Sequence, residues 1–142
     1  MAVHDIESVL QPRVALAATI SSNTNTDGSI IDTANFEGGL LFTLDVTAFT
    51  DGAYELQLFE SSASDMTGAT QITSPNILPT TNTTNSISAS AAVAAGSILG
   101  KIGAYGNLRY VRPRIVSTGV STGATVRVDV IQKGELTPVA TS

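Results

Sequence analysis

The sequence predicts an all-β protein, a single antiparallel β-sandwich or jelly-roll-like domain with a short N-terminal arm. Several segments alternate apolar and polar residues with a period of two, as half-buried strands do. Turn-forming residues separate these segments at short intervals, which is typical of sandwiches and barrels. No segment has the apolar spacing of an amphipathic helix of roughly ten or more residues. The length of 142 residues fits one domain.

The two ends of the chain are expected to lie outside the sandwich. Residues 1–12 form a predicted arm, and Pro12 ends it. The apolar residues of the arm have an approximate helical spacing: Val3, Ile6, Val9 and Leu10. Two interpretations stay open, a segment packed on its own domain and an arm that docks on a neighbouring subunit. Residues 13–133 form the predicted sandwich domain, and residues 134–142 a polar tail.

The first half of the domain contains four predicted strands, separated by polar turns. They are residues 13–21, 29–33, 40–48 and 53–61. The third alternates most regularly, and its apolar face is expected in the core: Leu40, Phe42, Leu44 and Val46. The turn dipeptide Asp51-Gly52 separates it from the fourth strand, which alternates again. We therefore expect these two strands to pair as an antiparallel hairpin.

The second half has a weaker pattern. A short strand is predicted at residues 69–73, and residues 74–90 read as a long polar loop that either contacts a partner or is solvated. Residues 108–117 form a strand that contains Pro113. Because proline has no backbone N–H, this strand is expected at a sheet edge or with a bulge. A second hairpin turn then leads to the last strand, residues 124–132.

The composition limits the classes of partner. The net charge is −5 with only seven Lys and Arg residues, so neither nucleic acid nor an anionic membrane is an expected partner. Only 13% of the residues are charged, against about 25% in ordinary proteins, so much of the surface is neutral and suits contact with proteins. The N-terminus has acidic residues where a signal peptide needs basic ones, so synthesis in the cytoplasm without export is expected.

Catalytic and metal-binding residues are scarce. The chain has no cysteine and one histidine, His4, in the predicted arm, which argues against a zinc site or a catalytic triad. Most acidic residues occupy predicted turns or outward strand positions. The Asp27-Gly28 and Asp51-Gly52 dipeptides lack the spaced carboxylates of a calcium loop. We therefore expect no enzymatic activity, no cofactor and no metal.

One segment combines the residue types of a protein interface. Residues 105–114 hold three of the seven basic residues and two of the three tyrosines: Tyr105, Arg109, Tyr110, Arg112 and Arg114. Strand geometry puts Tyr110, Arg112 and Arg114 on one face. Tyr and Arg are enriched at interface hot spots, which predicts a partner for this face. The alternative is that the arginines pair locally with acidic residues across the sandwich.

Two segments together resemble small β-sandwich proteins that are encoded among the head genes of tailed bacteriophages. Residues 32–61 contain a strand, the Asp51-Gly52 turn and a strand that ends in Glu-Ser; residues 102–119 contain a Gly-Ala-Tyr-Gly loop before an Arg-Tyr-Val-Arg strand. Residues 73–97 have no counterpart. The resemblance implies a capsid decoration (cement) protein that binds the outer surface of the phage head and stabilises contacts between capsomers.

The resemblance also implies partners and a location. The partners are the major capsid protein and other copies of the chain, as a dimer or trimer at a symmetry axis, and the location is the capsid surface of the virion. An alternative is a carbohydrate-binding or other accessory module of a phage fibre or tail. Sugar binding usually needs exposed aromatic residues, and the chain has no Trp and only 5% aromatic residues.

Overall fold

The computed structural model describes residues 10–34, 39–73, 77–78, 86–89, 98–104 and 107–133. Within these residues the chain contains no helix and eleven strands. The strands are β1 (Leu10–Ile20), β2 (Asn25–Asp27), β3 (Ile31–Asp32), β4 (Leu40–Thr47), β5 (Ala53–Ser61), β6 (Thr70–Gln71), β7 (Ile77–Leu78), β8 (Ser86–Ala89), β9 (Ile98–Ala104), β10 (Tyr110–Thr118) and β11 (Ala124–Lys133). The prediction of an all-β protein is confirmed.

The strands form two antiparallel sheets that pack against each other. Sheet A has the order β1-β11-β4-β9-β7. Sheet B has the order β2-β10-β5-β6, and in addition β3 pairs with β10 and β8 with β5. Early strands pair with late ones: β1 with β11, β2 and β3 with β10, β4 with β9, and β5 with β8. The chain therefore folds back on itself as one antiparallel ribbon that rolls up into two sheets, the wrapping of a jelly roll.

The core lies between the sheets and is made by the inward half of each alternating strand. The predicted inward residues of β4 are buried, and so are their counterparts in the other long strands. The completely buried apolar residues of these strands are Phe42, Leu44, Val46, Tyr54, Leu56, Leu58, Val111, Ile115, Val126, Val128 and Val130. Burial of such side chains removes apolar surface from water and is the main favourable term for folding.

Both predicted hairpins are wrong. β4 lies in sheet A and β5 in sheet B, so residues 48–52 form an arch that carries the chain from one sheet to the other. Residues 119–123 form a second arch, between β10 in sheet B and β11 in sheet A. Alternation identifies the buried face of a strand but not its neighbour. Two strands that face each other across the core therefore have the same local pattern as a hairpin.

Asp51 of the first arch binds the backbone of the second. Its carboxylate accepts hydrogen bonds from the N–H groups of Ser121 at 3.1 Å, Thr122 at 2.9 Å and Gly123 at 2.8 Å. The carbonyl of Asp51 accepts the hydroxyl of the buried Tyr54 at 2.9 Å. A Tyr hydroxyl bonded to backbone a few residues upstream is also the arrangement of the tyrosine corner in other sandwiches. One residue thus connects both arches and the core.

Gly123 is required where the second arch passes Ile20. Its φ of 103° belongs to the region that favours glycine, and a Cβ atom there would overlap the Ile20 carbonyl. Gly119, in the same arch, also has a positive φ, 66°, but a Cβ atom would meet nothing within 4 Å. The two glycines therefore differ mainly in steric contact.

We expect Gly119→Ala to lower the free energy of unfolding by about 1–2 kcal/mol, the cost of a left-handed conformation at a non-glycine residue. Gly123→Ala should cost at least twice as much, because the backbone must also move away from Ile20. Urea denaturation of the two variants provides the measurement, and equal losses would contradict the close contact at Gly123.

β10 is neither an edge strand nor bulged, so the prediction made from Pro113 is wrong. β10 pairs continuously with β5 on one side and with β2 and β3 on the other. The Pro113 carbonyl accepts the N–H of Gly28, in the link between β2 and β3, at 2.8 Å. In an antiparallel ladder, the N–H and C=O groups of one residue point to the same side. The side of Pro113 that lacks an N–H therefore faces the link between β2 and β3, where no strand is present to accept a hydrogen bond. The sheet therefore loses no ladder bond there.

Gly28 and Ser29 connect the edges of the two sheets. Gly28 bonds to β10 in sheet B, while the N–H of Ser29 donates to the carbonyl of Ala15 in sheet A at 2.7 Å. Ala15 is the extra residue of a bulge in β1, where the register with β11 shifts. A Cβ atom on Gly28 would lie 2.6 Å from that carbonyl oxygen and 2.7 Å from Pro113 Cγ. The close approach requires glycine.

The start of β1 differs from prediction, and three short strands were not predicted. β1 begins at Leu10, so the last three residues of the predicted arm pair with β11. The polar segment before Gly28 contains β2, and the predicted long loop at residues 74–90 contains β7 and β8. β2, β7 and β8 have only two to four residues each. Each pairs through its backbone with a longer strand far away in the sequence, so local periodicity does not reveal it.

Leu44→Asp is expected to unfold the protein, because it places an unpaired charge in the fully buried centre of β4. The cost should exceed about 4 kcal/mol, a large part of the stability of a domain this size. Thr47→Asp is the matched control, since Thr47 is half-buried and faces outward on the same strand. Far-ultraviolet circular dichroism and thermal unfolding distinguish the two. A folded Leu44→Asp variant would contradict the assigned core face.

Candidate protein-interaction surface

The outer side of sheet B carries the predicted interface residues of β10. Inward and outward positions alternate along β10, with Val111 and Ile115 completely buried. The outward side chains of β10 and of the neighbouring β5 form a surface that we call the arginine face: Tyr110, Arg112, Arg114, Gln57 and Phe59. The prediction that Tyr110, Arg112 and Arg114 share a face is confirmed.

The register of sheet B sets the neighbours on the arginine face. Arg112 lies opposite Phe59, and Arg114 lies opposite Gln57 on β5. On its other side Arg114 lies opposite Asp27 of β2. Directly opposed side chains in antiparallel strands are close enough to interact. The arginine face, together with Asp27 of β2 beside it, therefore combines basic, acidic, aromatic and amide groups within three adjacent strands.

Asp27 accepts hydrogen bonds and charge from two arginines. Arg114 binds it in a bidentate way, with Nε 2.5 Å from Oδ1 and Nη2 3.2 Å from Oδ2. Arg112 Nη2 lies 3.0 Å from Oδ2. The hydrogen bond from Arg114 lowers the pKa of the Asp27 carboxyl, and the charges of both arginines act in the same direction, against partial burial. The group is thus a carboxylate held between two guanidinium ions.

Arg109 makes a second, more exposed ion pair at the end of β10. Its Nε and Nη2 atoms donate to the two carboxylate oxygens of Asp32 at 2.9 and 2.8 Å. This bidentate contact lowers the pKa of Asp32 to about 2, helped by the N–H of Ala34. All three predicted arginines therefore pair with acidic residues of their own domain. The pairing is local, but it runs between neighbouring strands of sheet B rather than across the sandwich.

Two of the arginines also cover aromatic rings. Arg114 Cζ lies 4.5 Å from the ring centre of Phe59, and Arg109 Cζ lies 5.1 Å from that of Tyr110. Arg112 is more buried, with 18% of its side chain exposed, and its Nε has no hydrogen-bond partner among the described residues. Ion pairs and ring contacts together restrain these long side chains. Binding to such a surface costs less conformational entropy than binding to free arginines.

The remaining predicted interface residues do not join the arginine face. Leu10 is the first residue of β1 in sheet A, where it pairs with Lys133. Four further predicted residues lie outside the described residues: Val3, Ile6, Val9 and Tyr105. The structure therefore brings together Arg109, Tyr110, Arg112 and Arg114, and it assigns Leu10 to the other sheet.

Sequence reasoning missed the acidic half of this surface. The local pattern predicts a turn at Asp27 and a short strand at Asp32, and it gives no sign that either residue contacts β10. Their contacts depend on the pairing of β2 and β3 with β10, more than 70 residues later in the chain. Phe59 had a weak signal, since alternation in β5 already places it on the outward face. No local pattern reveals the pairing itself.

The described residues offer little else that could bind a ligand by charge. They contain no group of three or more His, Cys, Asp or Glu residues able to hold a metal ion. The buried Glu60 is engaged structurally, since Oε2 accepts the N–H groups of Asn107 at 2.6 Å and Leu108 at 3.1 Å. No helix in the described part of the chain is long and apolar enough to span a membrane.

Comparison with known proteins adds no family assignment. No protein-family model matches the sequence, and no curated protein matches it significantly. The arginine face is therefore the main indication of function.

The folded protein should lose stability at acidic pH, because acid protonates carboxylates that are hydrogen-bonded in their ionised form. The pKa values of Asp27, Asp32, Asp51 and Asp65 are all lowered in the folded state by hydrogen bonds to the ionised form. Their stabilising effect is complete above the unfolded pKa of 3.8 and is lost as the pH falls through each folded value, about 2 for Asp32. We expect the free energy of unfolding, measured in urea, to fall steadily between about pH 5 and pH 2.

The Asp32→Asn variant tests one contribution to this slope. It removes the titrating group, so its stability should change less with pH below 4 than that of the wild-type protein. Identical slopes would mean that the Arg109–Asp32 pair does not hold in solution.

Proposed function

We propose that this chain is a capsid decoration (cement) protein, which binds the outer surface of a bacteriophage head and stabilises the contacts between capsomers. The single observation that carries the proposal is the arginine face. It is a restrained patch of arginine, tyrosine and phenylalanine on an otherwise weakly charged protein, with the residue types that dominate binding energy at protein interfaces. The partner would be the major capsid protein.

Two further observations support this function. The chain wraps as a jelly roll, an architecture that occurs in viral capsid and lectin domains, although a fold alone does not define a function. The two segments that resemble phage head proteins include β4, β5 and β10, the strands that build the arginine face and the core beneath it. A cement protein needs only modest affinity per copy, because its contacts are repeated over the whole shell.

The geometry of the aromatic rings favours a protein partner over a sugar. A carbohydrate-binding module of a phage fibre or tail would stack sugar rings on free aromatic faces. The rings of Phe59 and Tyr110, both on the arginine face, each have one face covered by a guanidinium group. A glycan array provides the direct comparison, and a specific hit there would favour the fibre module.

The test is binding to bare phage shells. Purified protein is mixed with shells that lack decoration, and the bound fraction is measured after sedimentation. We expect saturable, stoichiometric binding and a higher temperature of shell disruption. Absence of the protein from purified virions, together with no binding to shells, would reject the proposal.

Arg112→Ala combined with Arg114→Ala should weaken shell binding by at least about tenfold, since hot-spot truncations commonly cost about 2 kcal/mol or more. The matched control is Arg127→Ala, which removes an exposed arginine paired with Asp129 on the outer side of sheet A. Thermal unfolding verifies that the double variant is folded. Normal binding by the folded double variant would mean that the interface lies outside the arginine face.

A further inference from the structure

We infer that this chain forms a two-fold dimer in which the free edge of β1, at residues 16–20, pairs with β1 of a second copy. The inference concerns the outer edge of sheet A and does not rest on the proposed function, because the dimer would form in solution without shells. Three properties of this edge carry it: its length, its lack of protecting residues, and a groove of mostly small side chains beside it.

β1 is much longer than the other edge strands that the structure describes. It has 11 residues and lies at one end of sheet A. At the other edges lie β2, β3, β6, β7 and β8, which have two to four residues each. Short edge strands are a common protection against pairing with another chain, because they expose few free N–H and C=O groups. β1 lacks that protection.

Only the first half of β1 carries other protective features. Pro12 lacks an N–H group, Arg13 is charged, and the carbonyl of the bulged Ala15 is already bonded to Ser29. Residues 16–20 contain no charged residue, no proline and no glycine. In the described residues no strand pairs with the outer side of this half. Its backbone is therefore available to a further antiparallel strand.

A groove of about 350 Å³ runs beside this strand, between residues 15–18 and residues 26–29. Mostly small side chains line it. Val14 and Ile30, which adjoin the lining residues Ala15 and Ser29 in sequence, are 45% and 40% exposed. They are two of the three large apolar residues that are exposed in the described part of the chain. A two-fold dimer suits such a surface, because the exposed apolar side chains of each copy can then pack into the groove of the other copy.

The charge distribution favours a second copy at this edge. The chain has a net charge of −5, so two copies repel each other over most of their surfaces. Residues 14–20 are uncharged, and an antiparallel contact there places no like charges directly opposite one another. Sheet A would then continue across the two-fold axis as one sheet of both copies.

The first test is the mass in solution. Light scattering after size exclusion should give the wild-type chain twice its monomer mass of 14.6 kDa. Ala17→Lys places a charge on an exposed position of each paired edge and should raise the dissociation constant at least tenfold. Thr118→Lys, at an exposed position of β10, is the control and should stay dimeric. A monomeric wild-type chain, or a dimeric Ala17→Lys variant, would overturn the inference.

The second test does not depend on weakening the dimer. The chain has no cysteine, so Ala17→Cys with Thr19→Cys introduces the only thiols. In an antiparallel pair centred on residue 17, 18 or 19, at least one of these two positions lies directly opposite one of them in the second copy, within disulfide range. Mild oxidation should give a covalent dimer, whereas a Thr118→Cys control should not. Absence of the covalent dimer, with folded protein, would reject pairing at this edge.

Discussion

One carboxylate fixes the relation between the two sheets. Asp51 accepts three backbone N–H groups of the arch at residues 119–123, while its own arch at residues 48–52 joins β4 to β5. β4 and β11 are neighbours in sheet A, and β5 and β10 are neighbours in sheet B. The two arches therefore run side by side. The hydrogen bonds between the arches align four central strands at one end of the sandwich. They fix the register of β4 with β11 and of β5 with β10.

The arginine face depends on this alignment. Its members come from β10 and β5, with Asp27 of β2 beside them, and their spacing follows from the register of β10 with β5 and β2. On the inner side of the same strands, completely buried residues such as Leu58 and Ile115 hold the backbone in place. The outer side chains then satisfy one another, with Asp27 between Arg112 and Arg114. A rigid scaffold thus presents long, ordinarily mobile side chains in one arrangement.

The sequence predicted properties that are local and missed those that join distant segments. The buried faces of β4, β5, β10 and β11 followed from alternation, because each residue's side is set by its own strand. The partners of those strands did not follow, since an arch and a hairpin share turn residues such as Asp51-Gly52. The prediction that Pro113 marks an edge or bulged strand failed for the same reason. Its missing N–H is harmless only because Gly28, 85 positions earlier, interrupts the neighbouring strand there.

Pairing of the first long strand with the last has a consequence for synthesis. Thr19 of β1 lies opposite Thr125 of β11, 106 residues further along the chain. Sheet A cannot be completed until the ribosome has released the end of β11 from its exit tunnel. The nascent chain must therefore remain soluble with β1 unpaired until then. Such distant contacts also favour slow folding, because a large loop must close before they form.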